Sequence, residues 1–313
     1  MKTSITTVTD GQKKQIRRFA EDALDRAIAE GLLDKDSIQN LIENGDEFQA
    51  DIVASIKKHS LGNQHPDEEV PSNYTYPKEY KGPKPIADQI KALAEIFGLD
   101  PSQALEFAKN LPKLPDGAEG WFAVPSVDAI VAKHFPEVTP LNGAQKYCQA
   151  VQLVHAKIAA SRSFYNYREG QITPAQLRVH ARTAHALDLI AETQKGDPSR
   201  QGEAEADILI VAAQLGLRHR GKSVRRAREV FVQNEFGLGS LAVGSIILTH
   251  PERLVRWEEL DMDCPGDEFS PGADGVFSRA PFFDFDGGGV RFGTSRLGNA
   301  DDRYGSVSLF LPQ

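Results

Sequence analysis

Only two cysteines, two methionines and two tryptophans occur among the 313 residues of the chain. Cys148 and Cys264 are too few for a disulfide framework, and they exclude a cysteine-rich zinc site unless histidine supplies most of the ligands. No apolar run approaches the roughly 18 to 20 residues that a membrane helix needs, and the N-terminus MKTSITTVTDGQ lacks the apolar core of a signal peptide. We therefore expect a cytoplasmic protein that does not enter a membrane.

Several catalytic signatures are missing as well. The sequence contains no G-x-S-x-G elbow, no H-E-x-x-H zinc motif and no C-x-x-C pair. His250 follows the apolar run SIILT and precedes a proline, and we interpret it as the end of a strand rather than as a base. These absences leave open whether the protein is an enzyme.

Charge is unevenly distributed along the chain. The formal net charge is -8, which argues against a protein that coats DNA over its whole surface. From Lys157 to Val230, however, 13 Lys and Arg oppose 8 Asp and Glu, so this segment carries +5 and the remainder carries -13. A basic segment in an acidic protein indicates where an anionic partner docks.

The order of hydrophobic patterns predicts an α+β fold. Residues 1–60 have helical periodicity and are expected to form a helical N-terminal unit, and residues 61–85 are a Pro-rich linker or strap with three tyrosines. Residues 86–313 are expected to form the α+β core, helical over 86–196 and mixed or β-rich over 205–313.

Individual signals within this core predict particular elements. ILIVAAQL is a candidate buried strand, FFDFDGGGVRFG predicts a hairpin with Phe283 and Phe285 opposite Val290 and Phe292, and SVSLFLPQ predicts a closing strand. Thr173, followed by Pro174 and Gln176, resembles a capping box and predicts a helix to about Lys195 that stops at Gly196. On such a helix, Arg178, Arg182 and His185 would share one basic stripe.

The stretch GLRHRGKS, residues 216–223, matches the P-loop spacing G-x-x-x-x-G-K-S behind the candidate strand. Its interior is bulky, no later strand ends in the aspartate expected to hold magnesium, and little chain remains for the usual parallel sheet. We interpret the stretch as the basic start of a helix rather than as a nucleotide-binding loop.

The same basic stretch is the leading candidate for a binding site. Six cations lie in this stretch and at the start of the helix that follows it, and two more lie in the helix predicted from Thr173. This concentration predicts non-enzymatic binding of a polyanion, most plausibly nucleic acid, through phosphate contacts. The predicted anion-binding residues are Arg178, Arg182, Arg218, Arg220, Lys222, Arg225, Arg226 and Arg228.

An acidic run offers a second hypothesis. WEELDMDCPGDEFSPGAD holds seven carboxylates and no cation between Trp257 and Asp274. A magnesium site built from Asp261, Asp263, Asp267 and Glu268 would make the protein a metal-dependent nuclease or phosphoryl-transfer enzyme. A third hypothesis is a structural or partner-binding protein in which the acidic and basic runs pair with each other, and the oligomeric state is not readable from the sequence.

Several segments resemble those of a group of uncharacterised bacterial proteins. These segments are NYREGQ, GLRHRGKSVRRAREVF, NEFGLG, LTHPERL and DCPGDEFSP. The resemblance extends over most of the chain and implies a single evolutionary unit and a bacterial cytoplasmic setting. It transfers no functional residue to this sequence.

Overall fold

A computed structural model describes residues 9–59, 64–137, 141–195 and 206–312. Helices dominate the N-terminal and middle parts and most of the strands lie in the C-terminal half, so the fold is α+β as the sequence predicts. The chain divides into two compact units, residues 1–61 and residues 62–313. No helix among the described residues is both long enough and apolar enough to cross a membrane.

The first unit is helical. Its described helices are α1 (Asp10–Ala29), α2 (Lys35–Glu43) and α3 (Gly45–His59). Thr9 and Gln12 form a capping box in which each side chain pairs with the backbone N–H of the other residue, and the Asp34 side chain caps α2 through the Ser37 N–H.

The helices of the second unit surround two sheets. Their bounds are α4 (Ile86–Phe97), α5 (Ser102–Phe107), α6 (Val127–His134), α7 (Gly143–Ser161), α8 (Ala181–Thr193), α9 (Val224–Val230) and α10 (Ser240–Thr249). Helix α4 ends where Gly98 takes a left-handed conformation (φ 64°), and α7 begins with a capping box of Asn142 and Gln145.

The strands of the second unit form a smaller and a larger sheet among the described residues. They are β1 (Gly120–Pro125), β2 (Phe164–Asn166), β3 (Leu177–Val179), β4 (Ile208–Gln214), β5 (Glu235–Gly237), β6 (Asp261–Asp263), β7 (Asp267–Phe269), β8 (Arg279–Asp286), β9 (Gly289–Arg296), β10 (Tyr304–Ser306) and β11 (Ser308–Phe310). The smaller sheet has the order β1-β4-β11-β5, and the larger has the order β10-β6-β8-β7-β3 with β9 between β8 and β2.

Two predicted strands and the predicted hairpin are confirmed. Strand β4 is buried along its whole length, because it lies between β1 and β11. Hairpin β8–β9 places Phe283 and Phe285 opposite Val290 and Phe292 as predicted, and its register pairs Phe283 with Phe292 and Phe285 with Val290. Strand β11 is the predicted closing strand.

The helix predicted from Thr173 is wrong over its first half. Residues 173–176 form a turn, in which Thr173 O accepts from the N–H groups of Gln176 and Leu177. Residues 177–179 are strand β3, paired antiparallel with β7, and helix α8 begins only at Ala181. The predicted stop at Gly196 lies outside the described residues.

The run before His250 is also helical instead of extended. Helix α10 is almost entirely buried and apolar on all sides, which removes the periodicity that would distinguish a helix from a strand. His250 caps its C-terminus and accepts a 3.0 Å hydrogen bond from the Lys84 N–H.

The described part of the Pro-rich segment, residues 64–85, belongs to the second unit and packs against its core. Tyr80 is buried, and the Tyr76 ring stacks on the guanidinium of Arg253 at 4.2 Å. Arg253 is fully buried and donates to the carbonyl oxygens of Leu260 (2.6 Å) and Leu215 (2.8 Å). These contacts make residues 64–85 a strap packed on the core.

Candidate functional site

The predicted basic site lies in the loop after β4 and on the short helix α9, and its cations contact acidic groups of the same chain. Glu68 and Glu69 of the strap pair with three of them: Arg225 bonds Glu68, whereas Lys222 (3.7 Å) and Arg226 contact Glu69. Although burial by itself raises the pKa of Glu68, hydrogen bonds from Arg225 and Ser223 hold that pKa below its ordinary value. A carboxylate of the chain thus occupies the place of an external anion.

The other cations of this region also have partners within the chain. Arg218 lies 3.4 Å from the buried carboxylate of Glu235, which also contacts His219 at 2.7 Å. Arg220 donates to the carbonyl oxygen of Tyr74 at 2.8 Å. Arg228 donates to the carbonyl oxygens of Pro265 (2.9 Å) and Asp267 (2.7 Å).

Residues 216–223 do not form a phosphate cradle. A P-loop binds phosphate through backbone N–H groups that point into the loop, but here these groups are used internally. The N–H of Gly216 donates to Gln214 (2.7 Å), that of Gly221 to Tyr304 O (2.9 Å) and that of Ser223 to Glu68 O (3.0 Å). The interpretation of the stretch as a helix start holds only for its last residue: residues 217–219 form a 3-10 turn, Ser223 caps α9, and the helix begins at Val224.

Arg178 and Arg182 do not share a helical stripe, because Arg178 lies on strand β3 and only Arg182 lies on α8. Arg178 donates to Glu268 at 2.8 Å and stacks on the Phe277 ring at 3.7 Å. Arg182 lies 5.3 Å from the Phe236 ring. Glu268 also lies 3.9 Å from Arg228, so it joins the basic segment to the acidic run.

The four acidic residues of the magnesium hypothesis point to separate surroundings. Asp261 pairs with Arg303 at 2.9 Å, and Asp263 lines a small cavity with Asp301. Asp267 faces α7 and α10, and Glu268 contacts Arg178. Among the residues that the structure describes, no three His, Cys, Asp or Glu side chains converge as metal ligands would. The geometry therefore gives no support to a magnesium site made of these four residues.

A cavity of the second unit opens between α6, α7, α8 and α10 and has a volume of about 480 Å³. Its walls are mostly apolar, with Val124 and Leu209 from the smaller sheet and Leu241 from α10. Ala184 and Leu187 of α8 form the opposite wall and are partly exposed. This size and composition are typical of a site for a small molecule.

The inner wall of the cavity carries a buried polar group. Tyr147 of α7 lines the cavity and donates a 2.7 Å hydrogen bond to the Asp267 carboxylate. The same carboxylate caps α10, because it accepts from the Ser240 N–H (2.7 Å) and from the Ser240 hydroxyl. Burial raises the pKa of Asp267 to about 6, although the hydrogen bonds from Ser240 and Tyr147 act in the opposite direction.

The first turns of four helices contribute to the lining of the cavity. Among the lining residues, Asp128 belongs to the first turn of α6, Ala144 to that of α7, Thr183 to that of α8 and Ala242 to that of α10. The N-terminal end of a helix carries a partial positive charge. Of these ends, those of α6 and α7 reach the solvent, and there they add a positive potential to the cavity, whereas the start of α10 is capped by the Asp267 carboxylate.

Two cationic side chains line the same cavity. Arg178, one of the predicted anion-binding residues, contributes from β3, and Lys146 contributes from α7. Lys146 forms an ion pair with Asp128, whose side chain is 59% exposed. Ion pairs at the surface contribute little free energy. Asp188 also lines the cavity and is exposed.

Sequence reasoning identified Arg178 but did not identify the cavity. The one local signal for it is the series N-G-A-Q at residues 142–145, a capping box that places Tyr147 in the second turn of α7. The convergence of four separated helices on β1 and β4 has no local signature, because it depends on contacts between residues far apart in the sequence.

Comparison with known proteins adds no further information about this site. A scan against protein-family models finds no match, and searches of curated proteins and of solved structures find no similar protein. The resemblance to a group of bacterial proteins stays a prediction.

Proposed function

We propose that the protein binds a small organic acid in the cavity between α6, α7, α8 and α10. The observation that supports this function is an apolar cavity of about 480 Å³ whose lining includes two cations, Arg178 and Lys146, and the exposed N-terminal turns of α6 and α7. The apolar body of the ligand occupies the space between Leu187, Leu209 and Leu241. Its carboxylate faces Arg178 and Lys146.

The apolar part of the cavity provides the affinity. Transfer of a methylene group from water to an apolar site contributes about 0.8 kcal/mol. An aliphatic or aromatic body therefore gains several such increments when it displaces water from these walls. Tyr147 and Thr183 supply polar atoms at the inner wall, and few polar groups in a mainly apolar lining orient a ligand.

The charges at the mouth favour an anionic end over a neutral or cationic one. A carboxylate beside the N-termini of α6 and α7 interacts with their partial positive charge, as anions do at helix N-termini in general. Binding also separates Lys146 from Asp128, which exchanges one exposed ion pair for another.

Nucleic-acid binding through residues 178–228 stays a prediction and is our second candidate. The high density of arginine on α9 and in the loop before it still favours a polyanion. The contacts with Glu68, Glu69, Glu229, Glu235 and Glu268 reduce the charge that these residues offer to an outside partner. For this reason the cavity is the better-supported site.

A matched series of ligands tests the proposal. Calorimetric titration with decanoate, decanol and decylammonium keeps the apolar body constant and changes only the end group. We expect decanoate to bind most tightly and Arg178→Gln to remove this preference, whereas Arg182→Gln, a nearby exposed arginine that does not line the cavity, retains it. Absence of binding by all three ligands would overturn the proposal.

A further inference from the structure

A second and much smaller cavity lies beside the end of strand β6 in the larger sheet. Its volume is about 110 Å³, and it is lined by Asp263, Phe282, Ser295, Asn299, Asp301 and Tyr304. Asp263 ends β6 and is paired with Phe282 of β8 and with Ser306 of β10. The loop that precedes β10 brings Asn299 and Asp301 over this strand end.

Asp263 is a buried carboxylate that lacks a partner. Its residue is only 5% exposed, and no hydrogen bond or ion pair within the described ranges reaches its side-chain oxygens. The neighbouring buried carboxylates are all satisfied: Asp261 by Arg303, Asp267 by Ser240 and Tyr147, and Asp284 by Arg291. The oxygens of Asp263 keep access to the cavity, and no cation or hydrogen-bond donor among the described residues balances this buried carboxylate.

The surroundings of Asp263 add to the unbalanced negative charge. Asp301 lines the same cavity and adds a second negative charge. Arg303, which follows Asp301 closely in the sequence, is directed to Asp261 instead. The hydroxyl of Ser306, at the paired position on β10, is also buried and has no partner in the part of the chain that the structure describes.

The polar atoms that line the cavity are chiefly oxygens. Asp263 and Asp301 supply carboxylates, Ser295 and Tyr304 supply hydroxyls, and Asn299 supplies an amide oxygen, since its amide nitrogen donates to Ser295 at 3.3 Å. Oxygen ligands with a net charge of -2 are the set that hard divalent cations prefer, and thiolate or imidazole ligands are absent from this lining.

We propose that this cavity binds a calcium ion, with Asp263 and Asp301 as its charged ligands. Calcium accepts irregular sets of carboxylate, amide and hydroxyl oxygens, whereas magnesium demands a near-ideal octahedron and keeps several waters. A bound cation would neutralise Asp263 and fix the loop over residues 299–303 to the end of β6. This site is separate from the proposed organic-acid cavity and does not depend on it.

Terbium luminescence and thermal unfolding test the calcium site. After dialysis against chelator, we expect calcium chloride to raise the unfolding temperature and Tb³⁺, excited through Tyr304, to luminesce and be displaced by calcium more readily than by magnesium. Asp263→Asn removes both responses, and Asp302→Asn, an exposed neighbour that does not line the cavity, keeps them. Without added cation, Asp263→Asn is at least as stable as the wild type, because it removes an unpaired buried charge.

Two results would overturn the calcium proposal. One is a wild-type protein with neither a calcium-dependent shift nor terbium luminescence, which would mean that the cavity holds only water. The other is an unchanged response in Asp263→Asn. If that variant does not fold, Asp301→Asn takes its place, since Asp301 is less buried and its loss of the calcium response has the same meaning.

Discussion

The hydroxyl of Tyr147 donates a 2.7 Å hydrogen bond to the carboxylate of Asp267, a residue 120 positions further along the chain. This contact joins α7 to β7, and through Ser240 the same carboxylate holds the start of α10. The inner wall of the organic-acid cavity therefore depends on a single buried acid. A change in the protonation state of Asp267 should therefore change the stability of the protein.

Replacing Asp267 by asparagine is expected to destabilise the protein more in acid than at neutral pH. Burial raises the folded-state pKa of Asp267 to about 6 from 3.8, so the folded state holds this proton more tightly than the unfolded state does. The stability linked to Asp267 is therefore fully present below pH 3.8 and is lost as the pH rises through about 6. Between about pH 4 and pH 8 this loss amounts to about 2–3 kcal/mol.

Urea unfolding of the wild type and of Asp267→Asn across this pH range measures the effect. The amide of the variant does not titrate, so the difference in free energy of unfolding between the two proteins should shrink as the pH rises. A difference that grows with rising pH would show that folding stabilises the ionised carboxylate, contrary to this account.

Gly221 marks a close approach of the strap to the loop before α9. Its φ is 72°, and a Cβ atom there would lie 2.2 Å from the carbonyl oxygen of Val70. Gly221→Ala is expected to cost about 3 kcal/mol or more, from the left-handed backbone together with the clash. Gly82→Ala is the control, because Gly82 has a φ of 96° but open space around its Cβ position, and it should cost only about 1–2 kcal/mol.

Chemical denaturation of both glycine variants distinguishes these two contributions. Equal losses of stability would mean that Val70 does not press against Gly221 in solution.

The acidic side chains of the strap should weaken any binding of nucleic acid by the basic segment. In the double variant Glu68→Gln with Glu69→Gln, Arg225 and Lys222 lose their carboxylate partners, and we expect tighter binding of single-stranded DNA at low salt with a steeper salt dependence. Fluorescence anisotropy across salt concentrations measures both quantities.

A second double variant controls for the change in net charge. Glu79→Gln with Glu252→Gln removes two carboxylates that pair with Arg256 and Lys84, away from α9. If both double variants bind DNA more tightly by the same amount, the gain in affinity comes from net charge alone. If neither variant binds DNA, the nucleic-acid prediction loses its support.

Neither cysteine is expected to react in the native protein. Burial raises the pKa of Cys148 to about 12 and that of Cys264 well above its ordinary value, and the charge of Asp267 adds to both shifts. Since the thiolate is the reactive form, a disulfide reagent at about pH 8 should modify no thiol before unfolding and two thiols per chain in denaturant. Rapid labelling of either cysteine in buffer would contradict the buried positions.

The sequence predicted those elements whose patterns are local. Alternating phenylalanines specify the register of β8 and β9, and a continuous apolar run specifies β4. The pattern beginning at Thr173 fitted a helix start equally well, but Leu177–Val179 pairs with β7, and this distant pairing overrides the local preference. Strand β1, in a region predicted to be helical, was missed.

Prediction of the sites was limited by the same dependence on distant contacts. The sequence shows that Arg225 and Arg226 are basic, but their pairing with Glu68 and Glu69, 157 residues earlier, becomes visible only in the fold. Similarly, Asp263 belongs to the predicted acidic run, yet the other residues that line its small cavity come from later parts of the chain.

Filling the organic-acid cavity is the most direct test of the proposed function. Ala184→Phe places a ring in the cavity wall without changing any charge, and Ala160→Phe adds the same ring on an exposed face of α7 outside it. Calorimetric titration with decanoate should give binding by the wild type and by Ala160→Phe and none by Ala184→Phe. Equal affinity of all three proteins for decanoate would contradict the proposal that the ligand occupies this cavity.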